Sequence, residues 1–108
     1  EEEVWENTRF WQLAGWVTPN MPEDPARYSS GDYSNSSAVF PSCAMPPGWR
    51  WGDRRWSVDR RGGRTDHEGW QYASDWAALL DPGAVSGEHH ITTHRVRRRR
   101  WRRTRVLP

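Results

Sequence analysis

Residues 95–105 read RVRRRRWRRTR, eight arginines and one tryptophan with no acid among them. A basic segment near a chain end is commonly disordered and solvated. This one is not composed that way. Ile91, Thr92, Thr93, Val96, Trp101, Thr104 and Val106 are strand formers, and no Gly or Pro interrupts them before Pro108. A strand of about eleven residues would reach roughly 37 Å at ~3.4 Å per residue, so it needs an equally long partner. Residues 4–17, VWENTRFWQLAGWV, supply one, being β-branched and aromatic with a single glycine. Read as extended, they put Trp5, Asn7, Arg9 and Trp11 on one face. Pairing the first strand with the last would bring Glu1, Glu2 and Glu3 beside the arginines.

The whole-chain arithmetic explains why such a pairing has to carry the core. The chain has 108 residues, the size of one domain. Val, Ile and Leu together number twelve, against nine Trp, three Tyr and two Phe, which excludes a core of the usual aliphatic kind. All sixteen basic residues are arginine, so the planar guanidinium is selected and not charge alone. The net charge of +2 hides an asymmetry, because outside 95–105 eight arginines face fourteen acids. One cysteine, Cys43, excludes an internal disulfide framework and a Cys-based zinc site, and fits a reducing compartment. With no long apolar run and no export signal, the chain reads as an excised domain of a larger parent.

Between the two long strands the composition changes twice. Residues 18–47 are rich in Pro, Ser, Gly and Asn and read as a long irregular surface excursion. Then come GWRWGDRRWSVD at 48–59 and TDHEGWQYASDW at 65–76, separated by a turn at Arg61, Gly62 and Gly63. Trp49 and Trp51, Trp56 and Val58, and Trp70 and Tyr72 are each two apart, which puts each pair on one face of a short strand. Residues 73–80, ASDWAALL, fit one helical turn, and 81–88 another loop.

Tryptophan and arginine solve each other's burial problem. An indole N–H needs a partner, and a guanidinium cannot leave water uncompensated. Stacked together, the arginine stem covers the ring and the charge meets the ring's negative face, while the outer N–H donors stay free for carboxylates. The expected stack comprises Trp5, Arg9, Trp11, Trp49, Arg50, Trp51, Arg54, Arg55, Trp56, Trp70, Arg98, Arg100 and Trp101. Asp53, Asp59, Asp66 and Glu68 are the expected acidic anchors.

The combination of VWEN at 4–7, PPGWRWGDRRWSVD at 46–59, TDHEGWQYASDW at 65–76 and HRVRRRRWRR at 94–103 resembles the DysF domain, in particular the inner DysF domain of ferlins, the dysferlin family. The N-half, about 1–60, and the C-half, about 64–108, run on continuously as in the inner copy, making 1–108 a single domain. The resemblance implies a mainly β fold: a small antiparallel domain with long N- and C-terminal strands paired, long irregular loops and a core of Arg/Trp stacks. Ferlins are membrane-anchored C2-domain proteins of calcium-dependent vesicle fusion and plasma-membrane repair. The resemblance thus implies a non-enzymatic structural or interaction domain at the cytosolic face of a membrane, with neighbouring domains or other proteins as partners.

Rival chemistries find less support. The arginines and indoles could bind acidic phospholipid headgroups, or stack on RNA bases, but fourteen acids disfavour a nucleic-acid partner. A WW-like module would need a proline soon after its second tryptophan, and none follows Trp70 there. His90 and His94 are four apart, too far to chelate on a strand even with His89 or Glu68 near, so surface histidines are expected and no metal. No D-x-D-x-D-G loop and no nucleophile-base pair occurs, so no cofactor and no catalytic residue are expected.

Overall fold

In the computed structural model, which describes residues 1–11, 13–17, 20–41, 45–60, 64–89 and 93–106, the strands in chain order are β1 (Glu2–Trp11), β2 (Gly15–Val17), β3 (Tyr28–Ser29), β4 (Ser36–Ser37), β5 (Arg50–Trp51), β6 (Ser57–Val58), β7 (Gln71–Ala73), β8 (Val96–Arg103) and β9 (Arg105–Val106). A 3-10 turn at Ala78–Leu80 stands between β7 and β8. The fold is mainly antiparallel β, and β1 pairs with β8 from Glu2 opposite Arg103 to Arg9 opposite Val96. The sheet order is β4-β3-β1-β8-β6, with β2 completing the outer edge of β1 and β7 that of β8. Both long strands are therefore interior. This is why a strand with six arginines in eight residues persists: its backbone is paired along both edges, and its side chains are left to find partners above and below the sheet.

Three expectations change. Residues 4–17 are not one extended run. They make a hairpin turning at Leu13 and Ala14, where the Ala14 N–H reaches the Trp11 carbonyl at 3.1 Å and Gly15 takes φ +79°, which glycine adopts without strain. The arginine run is also broken. The Asp53 carboxylate accepts the Thr104 N–H at 2.8 Å and the Gly52 N–H reaches the Thr104 carbonyl at 2.7 Å, so β9 leaves the main sheet and pairs with β5.

The 18–47 excursion is the third. It lays β3 against β1, with β4 on the outer edge of β3, and reaches the interior. Asn7 and Thr8 are buried on β1, and a polar strand needs polar cover. Asn7 Nδ2 donates to the Ala26 carbonyl and to Ser29 Oγ, while Asn20 Nδ2 donates to the Asn7 and Pro25 carbonyls. Loop-forming Ser, Asn and Asp are thus what this face of the sheet requires.

A small aliphatic nucleus survives at one end of β8. Val96 packs with Ala73, Leu79 and Val85, with Trp76 and Ala78 against them. The 3-10 turn places Leu79 there, helped by the Asp75 carboxylate accepting the Ala78 N–H. The expected turn at Arg61, Gly62 and Gly63, and Cys43, lie outside the described residues. Among the described residues no helix is long and apolar enough to cross a membrane.

Candidate functional site

Side chains alternate along β8, and the two faces use arginine differently. On one face the Arg97 guanidinium carbon lies 3.8 Å from the Trp70 ring centre and 4.6 Å from that of Trp16. Arg99 lies 4.3 Å from Trp70 on the same strand face and 5.1 Å from Trp101. Trp70, buried, is therefore in contact with two guanidiniums. Phe40 continues the ladder from Trp101 at 6.1 Å to Trp56 at 5.2 Å, and Trp56 meets Trp51 at 5.6 Å, all edge to face. Arg103 covers Trp51 at 4.3 Å, and Arg105 in β9 covers Trp49 at 5.1 Å.

The other face carries carboxylates and carbonyls. Arg98 lies 3.9 Å from the Trp5 ring centre and donates to the Gly31 carbonyl at 2.8 Å and the Leu79 carbonyl at 3.3 Å. Arg100 binds three acids, Glu3 and Asp59 at 2.5 Å each and Glu1 at 2.9 Å. These pairs hold its guanidinium well above the usual range despite burial. Arg102 meets Glu1 at 3.5 Å and Arg105 meets Glu2 at 2.7 Å, so the acidic start of the chain is spent on the basic end.

Two covered acids complete the charge balance. Glu6 accepts both the Arg99 Nε–H and the Trp101 indole N–H at 2.9 Å on one oxygen, and Arg27 at 3.3 Å on the other. Burial pushes its carboxyl up, but these donors outweigh burial and hold it below its ordinary value. Asp24, whose side chain is 1% exposed, takes Arg9 bidentately at 2.6 and 2.5 Å and the Trp76 indole N–H at 2.9 Å. It too is held low against burial, first by Arg9 and then by Trp76. Burial draws Arg97 and Arg98 down from the ordinary arginine value.

The expected stack residues divide. Trp5, Trp49, Trp51, Trp70, Trp101 and Arg98 lie in ring-guanidinium contacts. Trp56 packs against rings only, and Trp11 carries no guanidinium among the described residues. Arg9 and Arg100 bind carboxylates in place of rings. Arg50, Arg54 and Arg55 are exposed and, among the described residues, lie over no ring. The reason is geometric: residues adjacent in a strand point to opposite faces, so an arginine next to a tryptophan in sequence is badly placed to stack on it. Apart from Arg99 over Trp101 within β8, the contacts run across strands, and they draw in Arg97, Arg99, Arg103, Arg105 and Trp16, which adjacency does not single out. Among the acids, Asp59 holds Arg100, whereas Asp53 holds the Thr104 N–H. Asp66 organises its own turn, accepting the Glu68 and Trp70 N–H groups and the Tyr72 hydroxyl. Glu68 is exposed, its carboxylate 3.5 Å from His67.

The histidines also differ from expectation. His94 is buried, stacked with Tyr72 at 6.2 Å and His89 at 6.3 Å, while His90 lies outside the described residues. Among the described residues no three potential ligands gather around a metal position. A groove of 500 Å³ runs along the ladder, but its guanidiniums are already committed, Arg97 and Arg99 to Trp70, and Arg99 and Arg27 to Glu6.

No family model matches the chain. It is 35% identical over 103 residues to tectonin beta-propeller repeat-containing protein 1 of Gallus gallus, covering 93% of this chain and 8% of that protein. Against tectonin beta-propeller repeat-containing protein of Drosophila melanogaster the identity is 32% over 105 residues, 96% of this chain and 7% of the relative. Myoferlin of Homo sapiens is 31% identical over 99 residues, 90% of this chain and 4% of its own length. The chain thus spans less than a tenth of the relatives it matches, and the likeness is not specific to ferlins. It is a domain homologous to a segment that tectonin beta-propeller repeat-containing proteins and myoferlin hold in common.

Proposed function

We propose that the chain is a non-enzymatic DysF domain with a structural and interaction role inside a larger parent. That parent is of the ferlin kind, which the motifs resemble, or of the tectonin-repeat kind, which the relatives add. As part of a ferlin it would serve calcium-dependent vesicle fusion and plasma-membrane repair from the cytosolic face of the membrane, in a reducing environment, with protein partners. The observation that carries this reading is the double use of β8. Arg97, Arg99 and Arg103 are spent on indoles, and Arg98, Arg100 and Arg102 on carbonyls and carboxylates. The β8 side chains that would grip RNA or acidic headgroups in the rival reading are engaged within the fold.

Thermal melts of Arg98→Gln and Trp56→Cys test it. The first loses two carbonyl bonds and the Trp5 stack, the second the ring joining Phe40 to Trp51. Both are expected to melt far below the wild type. Melts matching the wild type, with salt-sensitive binding to anionic vesicles or oligouridylate lost in the variants, would replace the structural reading by the binding one.

A further inference from the structure

Neutralisation of the basic strand isolates a second basic surface that is left open. Arg50, Arg54 and Arg55 are exposed, and among the described residues none lies over a ring or pairs with a carboxylate. The acid in their midst, Asp53, is already occupied by the Thr104 N–H at 2.8 Å. The bend that carries them is held at several points. The Gly52 N–H is bonded to the Thr104 carbonyl, and the Asp53 and Arg54 carbonyls accept Arg103 Nε–H and Nη2–H at 2.9 Å each. The backbone carbonyls are thus bonded to Arg103 while the guanidiniums of 54 and 55 remain in solvent. Beside them Trp49 is 37% exposed, an indole at the margin of the charge.

We propose that the 49–55 segment is a docking surface for an acidic segment of protein, a short run of Asp and Glu from a partner or from elsewhere in the parent. Charge complementarity and guanidinium geometry select this occupant. Three arginine forks suit carboxylates bidentately, and a bend already bonded to β8 and β9 costs little ordering on binding. Three guanidiniums displace few counterions, too few for tight RNA binding. The surface deepens the interaction role proposed above and rests on it, but its test does not involve the stacked core.

The test is fluorescence anisotropy of a labelled deca-glutamate peptide, titrated with the domain at about 50 and about 150 mM NaCl. Saturable binding is expected, weakened at least about tenfold by R54E/R55E. The R60E control, an exposed arginine past β6, should change affinity less than about twofold, and both variants should melt as the wild type does, since among the described residues none of the altered guanidiniums pairs with a carboxylate or covers a ring. If R54E/R55E fails to fold, the single variants Arg54→Gln and Arg55→Gln read the same loss in smaller steps. The proposal is overturned by absent wild-type binding, by equal loss in R60E, or by binding that R54E/R55E leaves intact. Tighter binding to phosphatidylserine vesicles or oligouridylate, abolished by R54E/R55E, would overturn it too, by reassigning the surface. Normal melts with no peptide binding would sink this proposal alone, whereas stable Arg98→Gln and Trp56→Cys variants would sink the structural reading.

Discussion

If stacked guanidiniums do the work of a core, the interaction between Trp70 and Arg97 should be measurable apart from the burial of either residue. Trp70 is 4% exposed, with Arg97 at 3.8 Å and Arg99 at 4.3 Å from its ring centre. Trp70→Leu keeps an apolar side chain but removes the ring face. The expected loss combines burial and cavity terms of ~1–2 kcal/mol with two partly desolvated cation-π contacts of ~1–2 kcal/mol each, giving about 3–6 kcal/mol. That is a large fraction of the ~5–15 kcal/mol typical of a domain. The single loss does not isolate the stack, since a smaller side chain in any core costs as much. Arg97→Met does not isolate it either, because removing a half-buried charge relieves desolvation as well. The double-mutant cycle does. Urea unfolding of wild type, Trp70→Leu, Arg97→Met and the double variant should yield a favourable coupling of about 1–2 kcal/mol. Trp70→Phe, which keeps an aromatic face, should retain most of that coupling. Single effects that add within about 0.3–0.5 kcal/mol would refute the stacked-core argument, whatever the size of each single loss.

Acid sensitivity should follow from the two covered carboxylates. Glu6 and Asp24 are held below their ordinary values of 4.5 and 3.8, so their contribution is complete above those values and is lost as pH falls through the lower folded ones. Urea midpoints should be flat from neutral pH to about 5 and drop below about 4, and Glu6→Gln should lower stability at neutral pH while making the acid limb shallower. An unchanged acid limb in Glu6→Gln would remove Glu6 from this account. Asp24→Ala strips Arg9, the Trp76 indole and the Met21 N–H of one shared acceptor, and a loss of about 2–4 kcal/mol is expected by chemical denaturation; under about 1 kcal/mol would make the pair dispensable. Tyr72 is pushed up to about 12, first by burial and then by its bond to Asp66. Its contribution is complete below the ordinary tyrosine value of 10 and is lost as pH rises through the folded one. A phenolate titration should therefore show a component near 12 that Tyr72→Phe deletes.

The pairing of first strand with last, and the meeting of Glu1, Glu2 and Glu3 with the arginines, can be read from composition because both depend on properties that survive averaging: strand propensity and opposite charge. What composition cannot carry is which arginine does what. Arg97 to Arg100 are one letter repeated, and their roles alternate only once β8 has a register. Reading Arg50, Arg54 and Arg55 as stackers followed from their sequence neighbours, whereas cross-strand geometry hands the rings to Arg103 and Arg105. Likewise Asn20 and Asp24 sit in a segment whose Pro and Ser content signals loop. Their inward role exists only because β1 presents Asn7 and Arg9 to that loop. Glu6 was hidden for a similar reason: a charged residue in a strand pattern reads as the solvent face until a guanidinium and an indole N–H are found opposite it.

A run of identical cations raises the question of what fixes its register, since a slip by one residue would exchange the two faces while keeping every charge in place. The answer lies in the residues that are not arginine. Val96 is the residue of β8 that the nucleus of Ala73, Leu79 and Val85 accepts, and in a slipped strand a guanidinium would enter that nucleus unpaired. Trp101 must reach Glu6 with its indole N–H, and the next-door positions would turn it to the opposite face, toward Glu3 and Asp59, where arginine is needed. Thr104 is held at the strand's end by Asp53. Within that frame arginine, not lysine, fits the rungs that stack, because there a side chain must be flat and directional at once. Arg99 covers Trp70 while its Nε–H binds Glu6 and its Nη1–H points to the Glu68 carbonyl. An ammonium group could supply the charge of that rung but not the plane together with two separated donors. The absence of lysine from β8 is therefore a consequence of the geometry, and the apolar and aromatic exceptions in β8 are what make its repeated cations specific.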